Sequence, residues 1–262
     1  MSVEHEFAFE AFGLRVLVVA DSAAAVEDLE LLLPPGSVPS SAGSGGRTFA
    51  LRDRPDGMYD LTRDGDILVE GRSLTVVRAA LERELLAVVA LEAPGRIFVH
   101  AGVVAHDGAA IVIPGKTYSG KTSLVAALVR AGAVYYSDEY ALLDASGLVH
   151  PFAKPLSLRE SGQQFDHPVE MIGGVAGDGA VPIGLVVVTT YAAGASWQPT
   201  RLSAGEAALE LLTNTLAART RPGEVMRSLT RAVAPAVTLK GERSEAGELA
   251  PLLLAELRRA RS

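Results

Sequence analysis

The chain contains no cysteine in its 262 residues. That absence removes disulfides, thiolate nucleophiles and zinc–thiolate centres together. It has no run of Lys and Arg to set against a formal net charge of −7. Phosphate backbones require clustered cations, so nucleic acid is not an expected partner. No apolar stretch approaches the roughly 18 residues of a membrane-spanning helix, so no membrane partner is expected either. The first residues, Met1-Ser-Val-Glu-His-Glu6, carry acid where a signal peptide carries base, which gives a cytoplasmic protein as the expectation. Aromatic residues are 5% of the chain, with one tryptophan, Trp197, in a loop-like stretch. Hydrophobic residues at 48% and charged residues at 21% describe a soluble globular protein with ample core.

What the chain does have is Gly115-Lys-Thr-Tyr-Ser-Gly-Lys-Thr122, a complete match to the phosphate-binding template G-x-x-x-x-G-K-[ST]. Backbone N–H groups of such a loop turn inward, and the following helix adds its positive end. The candidate nucleotide-binding residues are therefore Gly115, Lys116, Thr117, Tyr118, Ser119, Gly120, Lys121 and Thr122. Lys121 would reach the outer phosphates and Thr122 would hold Mg²⁺. Context supports the match. Ala109-Ala-Ile-Val-Ile113 reads as a buried strand ended by Pro114, while Leu124, Leu128 and Ala131 keep helical spacing up to Gly132.

Punctuation by Pro94-Gly95 divides the chain into residues 1–94 and residues 95–262. The first region reads as mainly β. Strands are expected at Phe7–Phe9 and Leu14–Val19, with a helix from Ala23 to Leu33 and a Gly/Ser-rich loop from Ser37 to Arg47. A meander of Thr48–Arg52, Met58–Thr62 and Ile67–Glu70 follows, then a helix from Leu74 to Leu91. The second region opens with the strand Arg96–Ala105, which contains His100 and precedes the hairpin turn His106-Asp-Gly108. A strand ending beside the phosphate loop would bring His100 to the γ-phosphate. Beyond the helix, Ala133–Glu139 reads as a strand ending in two carboxylates, Asp138 and Glu139. One would serve Mg²⁺ and the other would accept a hydroxyl proton, since neighbours on an extended chain face opposite ways.

The segment from Val99 to Asp144, VHAGVVAHDGAAIVIPGKTYSGKTSLVAALVRAGAVYYSDEYALLD, resembles the catalytic domain of the HPr serine kinase/phosphorylase family and its HPr-kinase-like relatives. The resemblance is close over some 45 residues. It continues more loosely through Pro155–Leu158, Ile183–Thr190 and Ala204–Leu216. It implies an α/β fold, a P-loop HPr-kinase-type catalytic domain with a mixed sheet and flanking helices, preceded by a small β-rich region. It implies ATP and Mg²⁺ as cofactors and phosphoryl transfer to serine as the activity. Carried over, the catalytic histidine is His100, the loop lysine Lys121 and the Mg²⁺-binding hydroxyl Thr122. Asp138 becomes the metal-side acid and Glu139 the base. A second metal-binding Glu falls on Glu170, in Val169-Glu-Met-Ile-Gly173.

The chain also departs from that family. Tyr118 stands where the family loop usually has Gly, Lys116 where it has an acidic or neutral residue, Glu139 where the base is one methylene shorter, and Ile172 where an Arg is expected. Phosphorolysis is accordingly not expected. The first 94 residues match no motif of the bifunctional enzyme. The resemblance is therefore to HPr-kinase-like proteins of peptide-modification or biosynthetic systems, whose acceptors are not HPr; it implies a serine of a precursor peptide or small protein as acceptor, with residues 1–94 as an acceptor-binding or accessory module. Family members often form oligomers, so a homo-oligomer is implied as well. Kinases of small-molecule hydroxyls, nucleotide hydrolases and nucleotide-binding scaffolds remain alternatives.

Overall fold

A computed structural model describes residues 4–41, 46–115, 119–160 and 163–261. The chain divides into two compact units, Met1–Pro94 and Gly95–Ser262.

In the first unit, β1 (His5–Ala11) and β2 (Leu14–Ala20) form a hairpin. The helix expected from Ala23 to Leu33 is corrected. α1 (Ala23–Val26) stops early, Asp28 adopts a left-handed φ of 53°, and a separate 3₁₀ turn covers Leu29–Leu32. The strands β3 (Ser37–Pro39), β4 (Arg47–Asp53), β5 (Tyr59–Arg63) and β6 (Asp66–Arg72) complete a six-stranded sheet in the order β3-β1-β2-β4-β5-β6. β3 thus forms within the segment expected to be a loop. α2 (Leu74–Glu92) buries Val77, Leu81, Leu85 and Val88, a stripe at helical spacing, while Phe9, Phe49, Leu51 and Leu61 are buried from the strands.

The second unit runs β7 (Arg96–His106), β8 (Ala109–Pro114), α3 (Lys121–Arg130), β9 (Val134–Ser137), β10 (Tyr140–Asp144) and β11 (Val149–His150). A two-stranded hairpin, β12 (Leu156–Glu160) and β13 (Gln163–His167), follows. Then come β14 (Ile183–Tyr191), β15 (Thr200–Leu202), α4 (Ala204–Leu212), α5 (Pro222–Val233), β16 (Val237–Arg243) and α6 (Ala246–Arg261). Eight strands make one mixed sheet, ordered β11-β10-β7-β8-β14-β16-β15, with β9 also on β7. β8, β14 and β16 are parallel, and the remaining pairings are antiparallel.

Two-residue periodicity divides the buried side chains between two faces of this sheet. Ala110 and Val112 of β8 join Val186, Leu211 and Leu229 in one core. Ala109, Ile111 and Ile113 of the same strand join Leu185, Leu124, Leu128, Leu253 and Leu257 in the other. α4 and α5 therefore cover one face and α3 and α6 the other, a three-layer α/β arrangement. A register shift between Ile183 and Leu185 sends those two residues to opposite cores. α4 begins with a capping box in which Ser203 and Glu206 satisfy each other's backbone N–H groups. No element was expected at α5 or β16, although Pro222 in the first turn and the helical spacing of Val225, Leu229, Ala232 and Val233 mark α5 in the sequence. Among the described residues no helix is long and apolar enough to cross a membrane.

Candidate active site

Strand β7 assembles the site because it outlasts its neighbours on both edges. On one edge β8 ends at Pro114, opposite Ala101. The next residue, Gly115, donates its N–H to the His100 carbonyl at 3.2 Å. On the other edge β9 pairs with Val103–Ala105, and β10 pairs with Arg96–His100. Between β9 and β10 the chain bends, and that bend is Asp138-Glu139. The bend is held by the Ser137 hydroxyl, which accepts from the N–H groups of Glu139 (3.1 Å) and Tyr140 (2.9 Å). It is anchored to β7 by the Ala101 N–H, which donates to the Glu139 carbonyl at 3.1 Å. The expected strand Ala133–Glu139 therefore stops at Ser137, the acidic pair forms the bend that follows it, and His100 lies inside β7 as the strand Arg96–Ala105 implied.

Gly102 lets α3 settle onto this hub. A β-carbon there would stand 2.5 Å from Val125 Cγ2 of α3, closer than any packed pair tolerates. At the mouth of α3, Gly120 is the N-cap with φ 80°, a left-handed conformation that glycine adopts without strain. The first turn of α3 then carries Lys121, only 6% exposed, and Thr122, whose hydroxyl hydrogen-bonds the Asp138 carboxylate.

The charges are close enough to act on one another. Burial lowers the Lys121 pKa, while Asp138 and Glu139 pull it back up. Burial, and then the neighbouring Lys121 ammonium, push the His100 imidazole down to about 4, so its ring is neutral at pH 7. The His100 ring lies 5.8 Å from that of Tyr140. Burial raises the Asp138 pKa against the pull of the Ser157 N–H and of the Tyr135 and Thr122 hydroxyls. Tyr135 shares its hydroxyl proton between Asp138 Oδ1 (3.1 Å) and the Lys154 carbonyl (2.8 Å). Lys154 Nζ is 3.5 Å from Glu139 Oε2.

His100, Gly115, Lys121, Thr122, Asp138 and Glu139 are thus brought together. Ser119 and Gly120 continue the loop, and the Ser119 hydroxyl is buried without a partner among the described residues. Lys116, Thr117 and Tyr118 lie outside the described residues. Glu170 is placed elsewhere. It is exposed on the 3₁₀ turn Val169–Ile172, and next to that turn Gly174 lies against Val129, near the far end of α3 from Lys121. Among the described residues no three His, Asp or Glu side chains gather as a metal cluster. Thr122 and Asp138 nevertheless offer the hard oxygen donors that Mg²⁺ takes, and one or two carboxylates with water and phosphate suffice for that ion.

Tyr135 and Lys154, which hold the two acids, are marked by no motif in the sequence. Tyr135 sits in an ordinary strand pattern, and Lys154 falls in the loop-like Pro151-Phe-Ala-Lys-Pro155. Neither carries a spacing signal, because both reach the site only through the folding of β9 and the segment before β12.

No protein-family model matches the chain, and no curated protein matches it. Among solved structures, the HPr(Ser) kinase/phosphatase from Coxiella burnetii aligns with it at a TM-score of 0.36 and 14% identity. That alignment covers 63% of this chain and 95% of that one. A likeness at that level establishes neither a shared fold nor a shared activity.

Proposed function

We propose that the Gly95–Ser262 unit is an ATP-dependent kinase that transfers a γ-phosphoryl group to a hydroxyl, with a serine of a peptide or small protein as acceptor. The observation that carries this reading is the meeting of Lys121, Thr122, Asp138 and Glu139 at one bend of the sheet, next to the start of α3. Backbone N–H groups at the loop and the Lys121 ammonium neutralise phosphate charge. Thr122 and Asp138 would hold Mg²⁺, which when bound supplies further neutralisation of the phosphates. Glu139, partly exposed beside Lys154, takes the proton of the acceptor hydroxyl. The hydroxyl oxygen bonds to the γ-phosphorus, the bond to the bridging oxygen breaks, and ADP leaves. Neutral His100 beside Lys121 orients the γ-phosphate without adding a cation. Positioning and electrostatics supply nearly all the catalysis.

The test uses ATP labelled at its γ-phosphate with short serine peptides, with HPr and with no acceptor. Label is expected on a serine-containing peptide. Glu139→Gln is expected to lose on the order of 10²-fold to 10⁴-fold in transfer while still binding ADP, as removal of a general base does. Label that appears only as inorganic phosphate would make the protein a hydrolase. Equal ADP release from wild type and Glu139→Gln, at every acceptor tried, would sink the kinase reading.

A further inference from the structure

Arg243 is the last residue of β16 and is 3% exposed. It lies at the carboxyl end of a parallel strand, the side of an α/β sheet where ligands settle. β8 delivers the phosphate loop at that same end. Arg243 Nη2 donates to the Gly120 carbonyl at 3.0 Å, and Nη1 donates to the Ser244 carbonyl at 3.0 Å. A β-carbon on Gly120 would stand 2.4 Å from Nη2, so the guanidinium presses directly on the N-cap of α3. The ring of Tyr191, at the end of β14, lies 5.7 Å from the guanidinium carbon.

The partners of this cation are incomplete. Nε is buried with no hydrogen-bond partner among the described residues. Glu245 acts on Arg243 through space, but its carboxylate is exposed and accepts the Tyr191 hydroxyl at 3.1 Å. No carboxylate forms an ion pair with Arg243 among the described residues. Burial accordingly lowers its pKa. The positive end of α3 is a poor neighbour for a further cation. A buried, half-satisfied charge is unfavourable for the fold, and such groups gather at functional sites.

We propose that Arg243 is a positioning residue of the phosphate site, which fixes Gly120 and whose charge is balanced by the phosphate chain of a bound nucleoside di- or triphosphate or inorganic polyphosphate. This rests on the phosphate-binding part of the function proposed above. Arg243 holds the carbonyl of Gly120, so the N–H groups of the first turn of α3 are kept in one orientation before the ligand arrives. The bound phosphates supply the negative charge that no ion pair among the described residues gives Arg243.

The test measures binding of ADP and of inorganic tripolyphosphate to the full-length protein by calorimetry, and the melting temperature without ligand. Wild type, Arg243→Met and Arg243→Lys are compared. Arg243→Met is expected to melt at or above the wild-type temperature without ligand, because an unbalanced buried charge has been removed, and to bind both probes about tenfold or more weakly. Arg243→Lys, which restores charge without the planar fork, is expected to recover part of the affinity. An arginine with only a structural role would behave in the opposite way. Loss of stability in ligand-free Arg243→Met, or a dissociation constant unchanged for both probes, overturns the proposal. If wild-type protein binds neither probe, the phosphate-binding reading fails, and this inference fails with it.

Discussion

Burial lifts the Asp138 carboxyl while the Ser157 N–H and the Tyr135 and Thr122 hydroxyls draw it down, and burial wins. A carboxyl raised above its ordinary value adds stability only at low pH, and loses it as pH rises through the folded value. At neutral pH the ionised group is therefore unfavourable for the fold. Asp138→Asn is expected to leave the ligand-free melting temperature unchanged or raised, and to weaken Mg²⁺-dependent ADP binding on the order of tenfold. Calorimetry with and without Mg²⁺ checks both. His100 has the opposite sign. Its folded value of about 4 lies below the ordinary 6.5, so the unfolded chain takes up the proton first. Stability should fall as pH drops through that window, and His100→Gln should flatten the loss. Urea unfolding midpoints at about pH 7 and about pH 5 measure the difference.

Among the elements, β7 and α3 set the geometry. Their close contact at Gly102 and Val125 fixes how near Lys121 comes to the acidic bend. Gly102→Ala is expected to destabilise the protein by about 1–3 kcal/mol, the usual result of overpacking, and to weaken ADP binding because the first turn of α3 is displaced. The double variant Gly102→Ala/Val125→Ala should recover part of both losses, which thermal melts and calorimetry would register as coupling. Much at this scale was legible. The limits of β8 and α3 follow from Pro114, the loop glycines and Gly132. The bend at Asp138-Glu139 was not, since a strand and a bulged strand share the same apolar pattern until their partner is known. β16 was missed for a similar reason, as a seven-residue strand ending in Lys-Gly-Glu-Arg carries little apolar alternation.

For the whole molecule, all the residues placed together at the site come from Gly95–Ser262, which has a core on each face of its own sheet. A fragment of residues 95–262 is therefore expected to fold and to bind ADP within a few-fold of the full chain. If the first unit serves the acceptor, the fragment should show a raised KM for the peptide with binding of ADP kept. Loss of ADP binding by a folded fragment would mean that residues 1–94 complete the nucleotide site.

The sequence alone sufficed for β8 and its end at Pro114, for the helix α3 and for the identity of the polar candidates, because those depend on contiguous residues and local backbone preference. It could not determine which distant chains lie beside them. It took the folded chain to show that Tyr135 and Lys154 hold the two acids, that Glu170 stands by the far end of α3, and that Arg243 presses on Gly120. These are outcomes of strand order and register. Both are set by burying two apolar faces at once, and no local pattern encodes that.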